Sequence, residues 1–212
     1  MQDIEFVEEN GHMVVKGLLT MLLELRQANA TLHNLSPDGI YVSTQGTRLV
    51  VTDLFAVTFR GMRVLEMPTA CMPYSNHGLR QHELTGFHDQ ERTLWAVGVI
   101  ILELFVGQDL IQCLRTHDDV QEVLVHLSTP LGSRIYNLLR GLLLQVRFDI
   151  VGEFLQDGIL DNGSRMCKAL RDVAEKKKHS TFLEDMLKEG RDEEKTLSDE
   201  EISVFGQASA QN

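Results

Sequence analysis

Basic charge is scarce in this sequence. Twenty Lys and Arg stand against 31 Asp and Glu, a net charge of −11 over 212 residues. A surface of that sign repels phosphate, so a nucleic-acid partner is not expected, and anionic membranes are disfavoured for the same reason. Cysteine is equally sparse. Cys71, Cys113 and Cys167 are odd in number, far apart and in no CxxC pair. That usage fits reduced thiols in a cytosol-like compartment better than a disulfide framework. Long apolar runs are missing too: the richest, about 95–107, is too short to span a bilayer and carries Glu103. The acidic start, MQDIEFVEEN, lacks the basic-then-apolar layout of a signal peptide. A soluble, cytoplasmic protein is expected, with no membrane partner.

What is present suits a folded domain. The chain is 43% hydrophobic and long enough to bury a core. Residues 13–27 (MVVKGLLTMLLELRQ) are apolar on a broad face, predicting a buried amphipathic helix that ends near Asn29, a residue tolerant of positive φ. Two apolar runs, 40–43 and 48–52, flank a turn containing Gly46 and predict a β-hairpin. Residues 54–92 show little periodicity and hold Pro68, Pro73 and Gly78, the marks of a long irregular segment. Residues 92–106 (RTLWAVGVIILELFV) are hydrophobic almost all round, as a helix at the centre of a domain must be. Further helices are predicted at about 117–127, 131–145 and 149–156. From about Asp172 the composition turns to Lys, Glu and Asp, giving either a weakly docked charged helix or a largely disordered tail.

That order resembles the C-terminal lobe of a eukaryotic-type protein kinase over about residues 13–160. The family's catalytic loop, His-Arg-Asp-Leu-Lys-Pro-Glu-Asn followed by three apolar residues, lines up with Leu32-His33-Asn34-Leu35-Ser36-Pro37-Asp38-Gly39 and then Ile40-Tyr41-Val42. Nineteen residues after Asn34, Asp53-Leu54-Phe55 falls where the family has Asp-Phe-Gly, and Glu83, thirty residues later, where Ala-Pro-Glu closes the activation segment. Thr93-Leu94-Trp95-Ala96-Val97-Gly98-Val99 is similar to the family's central helix motif, Asp-x-Trp-x-x-Gly-Val. Arg147-Phe148-Asp149 occupies the Arg-Pro-Thr position before the last helix.

The resemblance implies a mainly α, kinase-like C-lobe with a small β-hairpin and no N-lobe. With the change in composition near Asp172, the chain is expected to divide into an N-terminal extension (1–12), the lobe (13–171) and a charged, flexible tail (172–212). The resemblance also implies that the chemistry is gone. Phosphoryl transfer needs a carboxylate base, cations on the phosphates and two metal ions. At the base position Asn34 is a neutral amide, Ser36 replaces the lysine, and Gly39 replaces the metal-binding asparagine. Asp53 is the one metal-type residue retained, and a single carboxylate makes a poor Mg²⁺ site. Thr93 stands for the aspartate that braces the catalytic loop. Neither GxGxxG nor a Val-Ala-x-Lys strand occurs anywhere. ATP binding and any other cofactor are therefore not expected.

The framework positions are kept. Trp95 and Gly98 hold the central helix, Leu32 and Leu54 fall on the family's regulatory hydrophobic column, and Glu83 and Arg147 fall where the family forms a buried ion pair. Tyr41 resembles the residue beneath the adenine, so its ring is expected on an open face. Another protein, or residues 1–12 through Ile4, Phe6 and Val7, would cover it. His77, His82 and His88 near Cys71 lack metal-ligand spacing, and His33 with Asn34 and Ser36 lacks the third group of a nucleophilic site. The expectation is an inactive scaffold or regulatory interaction module. Its rivals are a divergent kinase that takes an N-lobe from elsewhere and an unrelated helical structural protein.

Overall fold

A computed structural model of the chain describes residues 4–33, 35–43, 48–52, 57–59, 74, 89–158, 160 and 163–191. The described part is mainly helical, with two short β ladders. Helix α1 (Ile4–Gln27) is followed by β1 (Ala30–Leu32), a 3-10 turn (Pro37–Gly39), β2 (Ile40–Val42), β3 (Leu49–Val51) and β4 (Val57–Phe59). Helices α2 (Asp89–Val106), α3 (Gln108–Cys113), α4 (His117–Leu143), α5 (Asp149–Gln156) and α6 (Ser164–His179) complete the core. A last helix, α7, covers 181–191. No described helix is long and apolar enough to cross a membrane.

Helix α2 sits at the centre because it has no polar face. Leu94, Trp95, Val97, Ile101 and Leu102 are all essentially inaccessible, and the helix packs against α1, α3, α4 and α6. At Gly98 α2 lies close against α4: a Cβ there would stand 2.6 Å from Leu143 Cδ2 and 3.1 Å from Leu142 Cβ. Trp95, fully buried, stacks on His117 with ring centroids 6.4 Å apart.

The hairpin forms in the predicted place. Ile40 pairs with Val51, Tyr41 with Val50 and Val42 with Leu49, antiparallel. β-Branched and aromatic side chains favour this pleated geometry, and Ser43 closes the turn by donating its N–H to the Arg48 carbonyl (2.9 Å). α1 ends as expected, with Asn29 at φ 50°.

Four features differ from the predicted elements or sharpen them. α1 begins at Ile4, so residues 4–12 are its first turns and continuous with the rest. The two helices predicted at 117–127 and 131–145 are present within α4, separated by a break at Gly132 (φ 73°, ψ 156°), two residues after Pro130, so that the first runs on past 127. Proline removes a helical donor and glycine takes up the positive φ, and the helix is interrupted there. β4 lies inside the stretch expected to be irregular. Finally, 164–179 and 181–191 are helices joined at the extended Ser180: Met166, Ala169, Leu170 and Val173 from α6 and Leu183 from α7 are buried, so of the two readings of the charged segment the docked helix fits 172–191, and 192–212 lie outside the described residues.

Candidate functional site

The described residues that flank 33–39 and 52–57 pair with one another at two places. At one, β1 and β4 form an antiparallel ladder that sets Leu32 opposite Val57. At the other, the Gly39 carbonyl accepts from the Thr52 backbone N–H (2.9 Å) and from its hydroxyl (3.3 Å), continuing the β2–β3 ladder. Each strand is only three residues long, so neither ladder is stable alone; both are supported by the packed helices beneath.

The brace between loop and core is Thr93, on the first turns of α2 and only 3% exposed. Its hydroxyl accepts from the Leu32 N–H (3.3 Å) and donates to the Leu32 carbonyl (3.1 Å). One small side chain thus satisfies both backbone groups of a buried strand residue, which would otherwise cost dearly. Next along the chain, His33 Nε2 shares a 2.7 Å hydrogen bond with Thr58 Oγ1, tying the first loop to β4. The first loop ends in a 3-10 turn in which Gly39 is buried, with Ser36 extended at its N-cap.

The named residues fall unevenly. Ser36 is half-buried and Gly39 buried, both in the first loop, while Asn34 lies outside the described residues, as do Asp53, Leu54 and Glu83. Trp95 and Gly98 are buried at the centre of α2. Arg147 is not buried: its side chain is 51% exposed and pairs with its neighbour Asp149. That pairing raises the guanidinium's pKa and lowers the carboxyl's. Cys71, His77, His82 and His88 also lie outside the described residues, among which no cluster of three or more metal-type side chains occurs. Ile4, Phe6 and Val7 lie on α1, and their side chains are outside what is described.

Glu103 was visible in the sequence only as an interruption of an apolar run. It is 3% exposed, and the Tyr74 hydroxyl donates to its Oε2. Burial lifts this carboxyl above the ordinary value of 4.5, the tyrosine bond works against the rise, and the charge of Asp38 adds to it. A lone acid in an otherwise apolar run is the signal that marks such a group.

Beside the loop pair lies a groove of about 640 Å³ between α1 and the hairpin. Met13, Met21 and Leu25 form its helical wall, and Val42, Leu49 and Val51 its strand wall. The hairpin seats closely on α1 at Gly17, where a Cβ would stand 2.9 Å from Leu49 Cβ. Lys16, Arg48 and Glu24 supply the charge at the rim. On the outer face of the hairpin the cross-strand pair Tyr41 and Val50 is 57% and 50% exposed. The geometry offers an apolar recess and an apolar face, and the described residues of 33–39 add the His33 imidazole, the Ser36 hydroxyl and the exposed Asp38 carboxylate, with Leu35 buried.

No family model, no curated protein and no solved structure matches this chain.

Proposed function

We propose that this chain is a catalytically inactive, protein-kinase-like C-lobe that serves as a scaffold or regulatory protein-interaction module. The observation that supports the reading is the pairing of described residues on either side of 33–39 and 52–57, Leu32 with Val57 and Gly39 with Thr52, together with Thr93, which anchors Leu32 to the central helix. A kinase-like lobe needs that arrangement, because its catalytic loop and its metal-binding motif must face one another. Here the arrangement comes with Ser36 and Gly39 in place of a lysine and a metal-binding asparagine, and with Asn34 where the base would be. None of the three can take a proton from a hydroxyl nucleophile or offset the charge of a transferring phosphoryl group.

Protein binding is the use left to such a lobe. The groove is lined mostly by aliphatic side chains, and Tyr41 adds an aromatic anchor of the kind that dominates binding energy at interfaces. Apolar surface of this sort is normally covered by a partner.

The test is a transfer assay with the full chain, labelled ATP, Mg²⁺ and generic protein substrates. No incorporation is expected, and Asp53→Ala is expected to leave that result and the melting temperature unchanged. Incorporation that disappears in Asp53→Ala favours instead a divergent kinase completed by an N-lobe from a partner or a longer form.

A further inference from the structure

Beyond Arg191 the sequence holds one apolar cluster. Ile202, Val204 and Phe205 follow directly on Asp199, Glu200 and Glu201, so residues 199–205 are anionic at one end and apolar at the other. The groove between α1 and the hairpin has the matching layout. Its walls are aliphatic, and its charged lining, Lys16 and Arg48 against Glu24, is net positive in a chain of net charge −11.

We infer that residues 199–205 of this same chain occupy that groove, with Ile202, Val204 and Phe205 against Met21, Leu25, Val42 and Leu49, and the three carboxylates toward Lys16 and Arg48. The inference rests on the reading of the groove as the interaction surface and adds its regulation: a partner must displace the chain's own segment. Ile202 is eleven residues past Arg191, a maximal span of about 36–40 Å, comparable with the diameter of about 40 Å of a compact domain of this size. Tethering also sets the order of competitors, since a short flexible linker gives an effective concentration in the millimolar range. A second copy or a free partner at micromolar concentration is outcompeted unless it binds much more tightly.

The experiment uses the full chain, a full-length Ile202→Ser/Phe205→Ser variant, and a fluorescent peptide of residues 196–208 as the probe. The peptide is expected to bind the variant about tenfold or more tightly than the intact chain, because the intact groove is already filled. Its affinity should fall between about 0.05 and 0.5 M salt, and also when exposed Arg48 is reversed (Arg48→Glu), with Lys16→Glu as the second variant. Equal affinity for the two full-length chains, or no binding to either, overturns the inference. Carbodiimide crosslinking of a mixture of isotopically light and heavy chains gives an independent check. Crosslinks from Lys16 to residues 199–201 within one copy are expected, and crosslinks confined to pairs of copies overturn it in favour of a second copy. Failure of the interaction reading has a different signature: the segment sits in the groove, and no protein ever competes with the peptide.

Discussion

The middle of α2 and the loop pair beside it are built on opposite terms. From Leu94 to Leu102 every α2 side chain is buried, and the α2–α4 contact at Gly98 leaves no room for a methyl group without moving Leu143. The described residues around 33–39 and 52–57 are joined instead by hydrogen bonds: the Gly39 carbonyl with Thr52, His33 with Thr58, and the Thr93 hydroxyl with both Leu32 backbone groups. A packed core constrains side-chain shape, because neighbours at crystal-like density must move with any change. A segment pinned through its backbone keeps its path while its exposed side chains, such as Asp38, are free to change and only buried ones such as Leu35 are constrained. The proposed reading, a frame that outlives its chemistry, draws on that contrast.

The largest expected effect comes from breaking the packed half. Trp95→Ala removes a fully buried indole and its stack on His117, at a cost of about 3–5 kcal/mol in a denaturant melt. A loss below about 1 kcal/mol would mean that α2 is not the centre of the fold. Next is the brace between the two regions. Thr93→Val keeps the shape and removes the hydroxyl that serves both Leu32 backbone groups. A loss of about 1–3 kcal/mol is expected, together with faster amide exchange at Leu32 while the α2 amides keep their protection.

A smaller, pH-dependent effect belongs to Glu103. Its folded pKa is raised, so its contribution to stability is fully present below the unfolded value of 4.5 and is lost as pH rises through the folded pKa. Glu103→Gln removes that loss and can still accept from Tyr74. The melting temperature of the variant relative to the parent should therefore climb from about pH 4 to neutral pH; a flat difference would place the carboxylate in water. The smallest effect is expected at Arg147. Its pair with Asp149 is open to solvent and screened by salt, so Arg147→Ala should melt with the parent. A clear destabilisation would restore the buried ion pair that the resemblance implies.

How much was legible follows the same division. α2 and the hairpin could be read because their signals are local: apolar residues on every face of one helix, and two β-branched runs around a short turn. The β1–β4 ladder could not, because three-residue strands 25 residues apart carry no pattern of their own. α6 was hidden by composition. Its basic residues dominate the average, although Met166, Ala169, Leu170 and Val173 keep helical spacing and mark the buried stripe. Gly132 and Pro130 signalled a break in α4, but sequence alone does not tell a bend from an end. At the candidate site, Ser36 and Gly39 lie in the first loop as expected, and Thr93 was picked out only for the carboxylate it lacks. That its hydroxyl serves both the Leu32 N–H and carbonyl is a matter of tertiary geometry.

The central claim is that the frame of a phosphoryl-transfer lobe persists here without its nucleotide chemistry. Its most direct test is a thermal melt of the full chain with and without saturating ATP and Mg²⁺. The account predicts superimposable curves, because a ligand that does not bind the native state adds nothing to its stability. A rise of several degrees that vanishes in Asp53→Ala would contradict it.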